Sequence, residues 1–533
     1  MENAQLGRRY PVGIQTFSEI RKGGYVYIDK SDLVWKLAHE AKYIFLSRPR
    51  RFGKSLLSST LAAYFQGRRD LFEGLKIMEL EQEWETYPVI QLDLSEAKNK
   101  QTVEDLRDTL LLLMKPVVAK YGRDEDEKSP GTLLKGLIRR AYEQTGKQVA
   151  VIIDEYDAPL LDVLHDERLK EFRIVLQEFF QTLKASEAMV KFCFITGITK
   201  FSQLSIFSTI NNLLNVSMDP RYAAICGITE DEFSTDMDPD IAMLAQEYEC
   251  SPEVMRAKLK LQYDGYRFSE KSPDIYNPFS LLKCFNHRKI ANYWFDSGTP
   301  TFLIRQMQHF RTDITTMDDM EVPSTAFDRP TEAMTTALPL LYQTGYLTIK
   351  GYDRDSFAYT LGIPNQEVRL GFVDGLLPTY IGLDGADVQM GFALKFWRAL
   401  RAADLDLALR EMQAYLAGLP YIEGFKKKLE NISNAEGFYE WSFYLIFNML
   451  NVYAKTQVKC AGGRIDMVIY MPDTVYVFEL KVNGTAADAL KQIDTKGYAI
   501  AYQTEGGNVV KAGVSFSTES KTIKDWVIAD CGE

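Results

Sequence analysis

Asp466-Met-Val-Ile-Tyr-Met-Pro-Asp-Thr-Val-Tyr-Val-Phe-Glu479-Leu-Lys481 is two apolar runs joined by Pro-Asp, with its charges held back to the far ends. Pro472 and Asp473 at the centre of a hairpin turn make Met471 the partner of Thr474, and counting outward sets Asp466 opposite Glu479. Cross-strand neighbours have Cβ atoms about 4.5 to 5.5 Å apart, so two carboxylates converge. Lys481, two residues beyond Glu479, points to the same face of its strand. Two carboxylates and an ammonium among apolar residues need a divalent cation or a catalytic task to offset repulsion and desolvation.

The surrounding chain is long. At 533 residues, 46% of them hydrophobic and 25% charged, it has material for roughly three or four domains with their own cores. Its first residues lack a secretory apolar stretch, and no run reaches the roughly 18 apolar residues of a membrane span, so a cytoplasmic protein with no membrane partner is expected. The six cysteines and four histidines are scattered, which argues against a disulfide framework or a Cys/His zinc site. A net charge of −11 excludes nucleic-acid binding by the surface as a whole, because such binding depends on neutralising phosphates. Contact with DNA or RNA must be local and metal-assisted. The densest basic patch runs from Lys42 to Lys54 and holds Arg48, Arg50 and Arg51.

That patch lies inside a strand, loop and helix pattern: Tyr43-Ile-Phe-Leu-Ser47, then Arg48-Pro-Arg-Arg-Phe-Gly-Lys-Ser55, then Leu56 to Phe65 with helical spacing. In a phosphate-binding loop, main-chain N–H groups and a helix N-terminus cradle the phosphates, the Lys reaches their outer oxygens and the Ser ligates magnesium. Arg51, Phe52, Gly53, Lys54, Ser55 and Leu56 are the expected nucleotide contacts, although Arg48 occupies the place of the usual first glycine. About a hundred residues on, Lys147-Gln-Val-Ala-Val-Ile-Ile-Asp154-Glu155 reads as a buried strand presenting acids at its carboxyl end. Asp154 would hold the magnesium shell with Ser55, and Glu155 would orient and deprotonate the attacking water. Val89–Leu94 and Phe192–Ile198 complete a parallel sheet, with helices expected over Thr102–Tyr121, Gly131–Thr145 and Leu169–Ala185. Thr196, at a strand end, is the candidate sensor of the γ-phosphate. Lys200 is a further candidate phosphate contact.

Ser47-Arg-Pro-Arg-Arg-Phe-Gly-Lys-Ser55, Ile152-Ile-Asp-Glu-Tyr-Asp157 and Ile195-Thr-Gly-Ile-Thr-Lys-Phe-Ser202 resemble the AAA-ATPase-like domain of bacterial proteins that also carry a carboxy-terminal PD-(D/E)xK nuclease-like domain. The resemblance covers nearly the whole chain. It implies P-loop ATPase chemistry with ATP and Mg²⁺, and it makes Arg48 a family trait. No arginine finger is identifiable, Arg221 being only a guess.

Residues 236–320 look helical, with Tyr263-Asp-Gly-Tyr-Arg-Phe268 and Tyr276-Asn-Pro-Phe279 as punctuation, and suit the lid of such an ATPase. Within it Arg267 reads as an exposed loop arginine rather than a second nucleotide sensor. Thr331–Tyr342 as helix, followed by strands Gly345–Lys350 and Phe357–Leu361, suggests a winged-helix-like module over 321–375, too poor in basic charge for groove reading. A helical connector over 376–430 follows, built on Phe392–Leu419.

Around the opening hairpin, Glu436 to Leu450 reads as an aromatic-rich helix with Glu436 and Glu440 on one face, and Ala486–Tyr502 as a helix carrying Lys491, Gln492, Lys496 and Tyr498. This order matches the PD-(D/E)xK core. Asp466 and Glu479 would hold Mg²⁺, or Mn²⁺, and Lys481 would orient the attacking water. Glu436, with Glu440 as its rival, would complete the metal shell through water, and Gln492 would fix the substrate or hold Lys481. Ile465 stands where the superfamily name has proline, and only the Asp is chemically required.

The expected fold class is therefore multidomain α/β. It comprises a P-loop NTPase (AAA-like) parallel sheet over 1–235, the helical lid, the winged-helix-like module, the connector and a PD-(D/E)xK restriction-endonuclease-like α/β domain over 431–533. The expected activity is ATP hydrolysis coupled to cleavage of nucleic acid, in defence or DNA processing. A nucleotide-controlled switch that assembles as a homo-oligomer and binds DNA, RNA or a protein without cutting is the competing reading. A salt-bridge cluster without activity is the third.

Overall fold

The computed structural model describes residues 8–530 other than 162, 165, 201–206, 208–209, 211, 295–302, 304–305, 308, 311–316, 318–319, 330–333, 372–394, 397, 401, 419–452, 461–462, 472–473, 506–507, 518 and 521. The chain forms two compact units, residues 1–310 with 319–367, and 311–318 with 368–533.

The first unit is built on five parallel strands: β1 (Tyr43–Ser47), β2 (Val89–Asp93), β3 (Val149–Asp154), β4 (Val190–Gly197) and β5 (Leu214–Asn215), in the order β2-β3-β4-β1-β5. Every residue of β1 and β3 is buried, as expected of parallel strands covered on both faces. The helix Lys54–Phe65 follows β1, while Val103–Leu113, Pro130–Thr145 and Arg168–Ala185 supply further helices of the unit. Thr102 and Ser129 open two of these with capping boxes, and Gly146 in the left-handed conformation closes the second.

One expected helix is broken. Thr102–Tyr121 divides at Met114 into Val103–Leu113 and Lys115–Tyr121, because Pro116 has no N–H for a continuing helix and sits well only in a first turn.

A two-stranded pairing of β6 (Ile228–Thr229) with β7 (Ile275–Tyr276) frames the helices Glu230–Asp236, Asp238–Glu247, Pro252–Tyr263 and Pro278–His287. These pack around Phe233, Ile241, Leu259, Tyr263 and Leu281. Next come three antiparallel strands, β8 (Met320–Pro323), β9 (Thr348–Asp353) and β10 (Ala358–Gly362), with β10 in the middle. The two-stranded wing expected from sequence thus gains β8. It also starts three residues late, since Gly345, Tyr346 and Leu347 turn back onto the carbonyls that end the helix Leu338–Gln343. Residues 334–337 are not helical, and Pro339 stands in the first turn of the helix that follows them.

In the second unit, β11 (Tyr453–Cys460), β12 (Gly463–Tyr470), β13 (Thr474–Val482), β14 (Asn508–Ser517) and β15 (Thr522–Asp530) lie in sequence order. All neighbours are antiparallel except β13 and β14, which the helix Ala486–Lys496 connects in parallel. Period-2 alternation divides β13 cleanly. Tyr476, Phe478 and Leu480 pack with Leu409 and Met412 of the helix Leu405–Gly418 on one face, while Val475 and Val477 pack with Ile493 on the other. Glu479 therefore faces the helix Ala486–Lys496.

That helix lies almost on the sheet. Gly513 is the β14 partner of Glu479, and a Cβ there would stand 2.2 Å from the Ala486 carbonyl oxygen and 2.6 Å from the Leu490 nitrogen. Only a residue without a side chain permits this approach. Gly513→Ala is expected to destabilise the protein by about 1–3 kcal/mol through overpacking, read as a lower urea midpoint; an unchanged midpoint would mean that the helix does not need this seat.

Candidate functional site

At the carboxyl ends of β1, β3 and β4 the structure brings together Lys54, Ser55, Asp154, Glu155 and Thr196. The loop after β1 has two left-handed residues, Arg51 (φ 69°) and Gly53 (φ 94°), and Gly53 leads directly into the helix Lys54–Phe65. Successive residues of opposite hand turn main-chain N–H groups to one side and make an anion-binding concavity. Lys54 is buried, and its Nζ donates to the carbonyl oxygens of Arg48 and Pro49 at 3.0 Å each. Burial lowers its pKa, against the pull of the Glu155, Asp154 and Asp157 carboxylates.

The Ser55 hydroxyl donates to the Asp154 carboxylate, so the two groups expected to share a magnesium ion already touch. Burial raises the pKa of Asp154, with Ser55 and Lys54 opposing. Burial also raises that of Glu155, with Lys54 opposing and the neighbouring carboxylates adding to the rise. Glu155 has φ 49°, a conformation costing about 1–3 kcal/mol that persists only where the surroundings hold it. The Thr196 hydroxyl is fully buried and has no hydrogen-bond partner among the described residues.

Several residues went unassigned at the sequence level. Asp93, which ends β2, is the register partner of Asp154 and adds a second carboxylate; the signal was the apolar run Val89–Leu92 ending in an acid. Asp157 accepts hydrogen bonds from Ile198 N, Thr199 N and Thr199 Oγ1 at 3.1, 2.7 and 2.6 Å, tying the loop after β4 to that after β3. Arg48, which breaks the usual glycine pattern, is buried with its guanidinium on the carbonyls of Ser47, Ser217 and Tyr222, 4.1 Å from the Phe268 ring centroid. No sequence spacing announces that arrangement.

Lys200 is not free for phosphate, since its Nζ is paired with Asp328 and its main-chain N donates to Gln343. Arg221 is forked onto Asp219 and Glu40, and Arg267 is paired with Asp274 at 2.6 Å. Beside Gly53 opens an apolar cleft lined by Tyr27, Ile28, Phe52, Leu56, Leu57 and Cys226.

The second constellation is the hairpin. Met471 and Thr474 exchange main-chain hydrogen bonds, and β12 and β13 run in the expected register out to Met467 opposite Phe478. At the next position the Asp466 carboxylate accepts from Leu480 N at 2.8 Å. Glu479 is 2% exposed; its Oε1 accepts from Gln492 Nε2 and from Lys481 Nζ, the latter at 3.4 Å, and its Oε2 is buried with no partner among the described residues. Burial, then the Asp466 charge, raises the Glu479 pKa to about 7, against Lys481.

Gln492 thus meets Glu479 rather than Lys481. The helix carrying it stops at Lys496, short of the expected Tyr502, because Gly497 takes the left-handed cap conformation. Glu436, its rival Glu440 and their helix lie outside the described residues.

Among the described residues no group of three or more His, Cys, Asp or Glu is placed to hold a metal ion. Asp466 and Glu479 nevertheless fit a hard cation. They offer the oxygen donors that magnesium takes, commonly one or two carboxylates with water completing the shell, and the orphaned Glu479 Oε2 is an acceptor waiting for a positive partner. Ser55 and Asp154 fit the ion of a bound nucleotide in the same way. Among the described residues no helix is long and apolar enough to cross a membrane.

Comparison with known proteins finds both domain families. Residues 11–207 match the family model described as predicted AAA-ATPase, and residues 434–526 that of the PD-(D/E)XK nuclease superfamily. Over 537 residues the chain is 33% identical to an uncharacterized protein in vnfD 5'region of Azotobacter chroococcum mcd 1, covering 98% of this chain and 99% of that protein. With the phosphate loop at one end, the carboxylate hairpin at the other and a relative alike along its full length, the chain belongs to the family that joins a predicted AAA-ATPase domain to a PD-(D/E)XK nuclease superfamily domain.

Proposed function

We propose that this protein hydrolyses ATP and uses its carboxy-terminal domain to cleave a phosphodiester of DNA or RNA with Mg²⁺ or Mn²⁺. The observation that carries the nuclease half is the buried, partnerless Glu479 Oε2 beside Asp466, Lys481 and Gln492. An acceptor in that state costs free energy until a cation or proton fills it.

At the nucleotide site, Lys54 exchanges its carbonyl partners for phosphate oxygens, and Arg51 to Leu56 line the phosphates with main-chain N–H groups. Ser55 and Asp154 hold the magnesium ion. Glu155, its pKa raised towards the working range, takes the proton of the attacking water. The Thr196 hydroxyl meets the γ-phosphate, and the apolar cleft beside Gly53 takes the base. In this reading residues 236–320 form the lid.

At the hairpin, Asp466 and Glu479 hold the metal with Glu436 completing its shell through water, Lys481 orients the attacking water, and Gln492 fixes the Glu479 carboxylate. The bound ion supplies Lewis-acid polarisation of the phosphodiester and an acidified water. A role in defence or DNA processing suits this pairing. A second reading, a nucleotide-controlled switch that binds nucleic acid without cutting, is supported by Glu479 being held by Gln492 and Lys481 while burial favours its protonated form. It predicts ATP-dependent change of oligomer size by light scattering, with no cleavage.

Three outcomes test the proposal. Mg-ATP at a hundred times its Kd should stabilise the wild type by about 2.7 kcal/mol, visible as a raised Tm, and Lys54→Ala should lose that rise; a wild type indifferent to Mg-ATP removes the ATPase reading. Plasmid or RNA cleavage should fall on the order of 10²–10³-fold in Asp466→Ala and about 10–100-fold in Gln492→Ala, which disturbs a ligand's support. Equal cutting by Asp466→Ala would sink the nuclease claim.

The third outcome concerns pH. With its folded pKa near 7 against an ordinary 4.5, Glu479 holds its proton more tightly in the folded state. The stability it contributes is present at low pH and lost as pH rises from 4.5 to about 7. Glu479→Gln should flatten that part of the stability profile and raise Tm at pH 8. Metal must displace the proton, so Mg²⁺ should stabilise the wild type more at pH 8 than at pH 6; equal effects at the two pH values would contradict the assignment.

A further inference from the structure

The phosphate loop contains an anomaly that its chemistry alone does not explain. Arg51 is not a glycine, yet it stands at φ 69°, in the left-handed region. Such a residue stays there only when its surroundings hold it, and the surroundings are visible. The Arg51 guanidinium lies 3.9 Å from the ring centroid of Phe279, on the helix Pro278–His287. The next residue, Phe52, is buried edge-on between Tyr266 and Phe268, at 4.8 and 5.3 Å between ring centroids. Both belong to Tyr263-Asp-Gly-Tyr-Arg-Phe268, the motif that no step of the proposed reaction uses.

We propose that Phe279, Tyr266 and Phe268 are positioning residues for nucleotide binding. They hold Arg51 and Phe52 by their side chains, and so hold residue 51 in the left-handed conformation that turns the loop's main-chain N–H groups onto the phosphate. A phosphate loop with glycine at this position needs no such support, because glycine adopts positive φ freely. Here the helices after β5 decide whether the loop has its binding shape. Any displacement of Phe279 or Tyr266 releases the loop and lowers affinity without touching the nucleotide. The inference rests on reading residues 48–55 as a phosphate loop.

Mg-ATP binding to the full chain, measured by calorimetry, tests it through a pair of variants at one position. Arg51→Gly and Arg51→Val both remove the guanidinium, but only valine resists positive φ. Arg51→Val should bind at least tenfold more weakly than Arg51→Gly, a difference of about 1.4 kcal/mol. Phe279→Ala should bind about tenfold more weakly than wild type, and adding Arg51→Gly to it should recover most of the loss. A second change that restores binding cannot be acting through misfolding. Equal affinities of the glycine and valine variants, or wild-type affinity in Phe279→Ala, overturn the positioning role while leaving the phosphate loop standing. A wild type that binds no Mg-ATP overturns the loop reading and this inference with it.

Discussion

A guanidinium almost without access to water sits at the end of β1, and the local architecture depends on satisfying it. Removing an ionised group from water costs several kcal/mol even after relaxation, so it must be surrounded by acceptors. Arg48 finds carbonyls from the end of β1, from Ser217 beyond β5 and from Tyr222, with the Phe268 ring over its face. One side chain therefore ties the phosphate loop to the connection after β5 and to the loop after the helix Pro252–Tyr263. Lys54 adds a second buried cation on the carbonyls of Arg48 and Pro49. Both cations of this loop are thus held by main-chain oxygens.

The carboxy-terminal site turns on the opposite charge and the same requirement. Glu479 is driven into an apolar face by the alternation of β13, where Val475 and Val477 are its neighbours. Gln492 and Lys481 satisfy one oxygen and leave the other bare. Gln492 reaches it because Gly513 lets the helix Ala486–Lys496 descend to the sheet. In both sites a polar group that the fold leaves incompletely satisfied marks the place where a ligand is proposed: the Thr196 hydroxyl in one, Glu479 Oε2 in the other.

The sequence was most legible where one local rule acted alone. The Pro-Asp turn and period-2 pattern set the hairpin register from Met471 and Thr474 outward, as the structure has it. Buried apolar runs located β1 to β4, and the expected order of strand, loop and helix is found over residues 43–65. It was less legible where two rules competed. Helical spacing across 102–121 hid the break at Pro116, and the apolar run from Gly345 concealed a helix cap before β9. The strand β8 passed unnoticed because four residues ending in Pro323 are too short a run to stand out, and they are strand by pairing with β10.

What the sequence by itself determined is the set of chemical parts and their order: a Gly-Lys-Ser turn, an Asp-Glu strand end, an Asp and a Glu-x-Lys facing each other across a hairpin. These follow from local backbone preference and side-chain periodicity, which act within a few residues. The tertiary structure decided how those parts are held. Arg48 on three carbonyls, Arg51 on Phe279, Asp157 clasping the β4 loop and Gly513 beneath the helix all join residues far apart in the chain. Whether a buried charge finds an acceptor, or a Cβ finds space, depends on neighbours that only folding brings near.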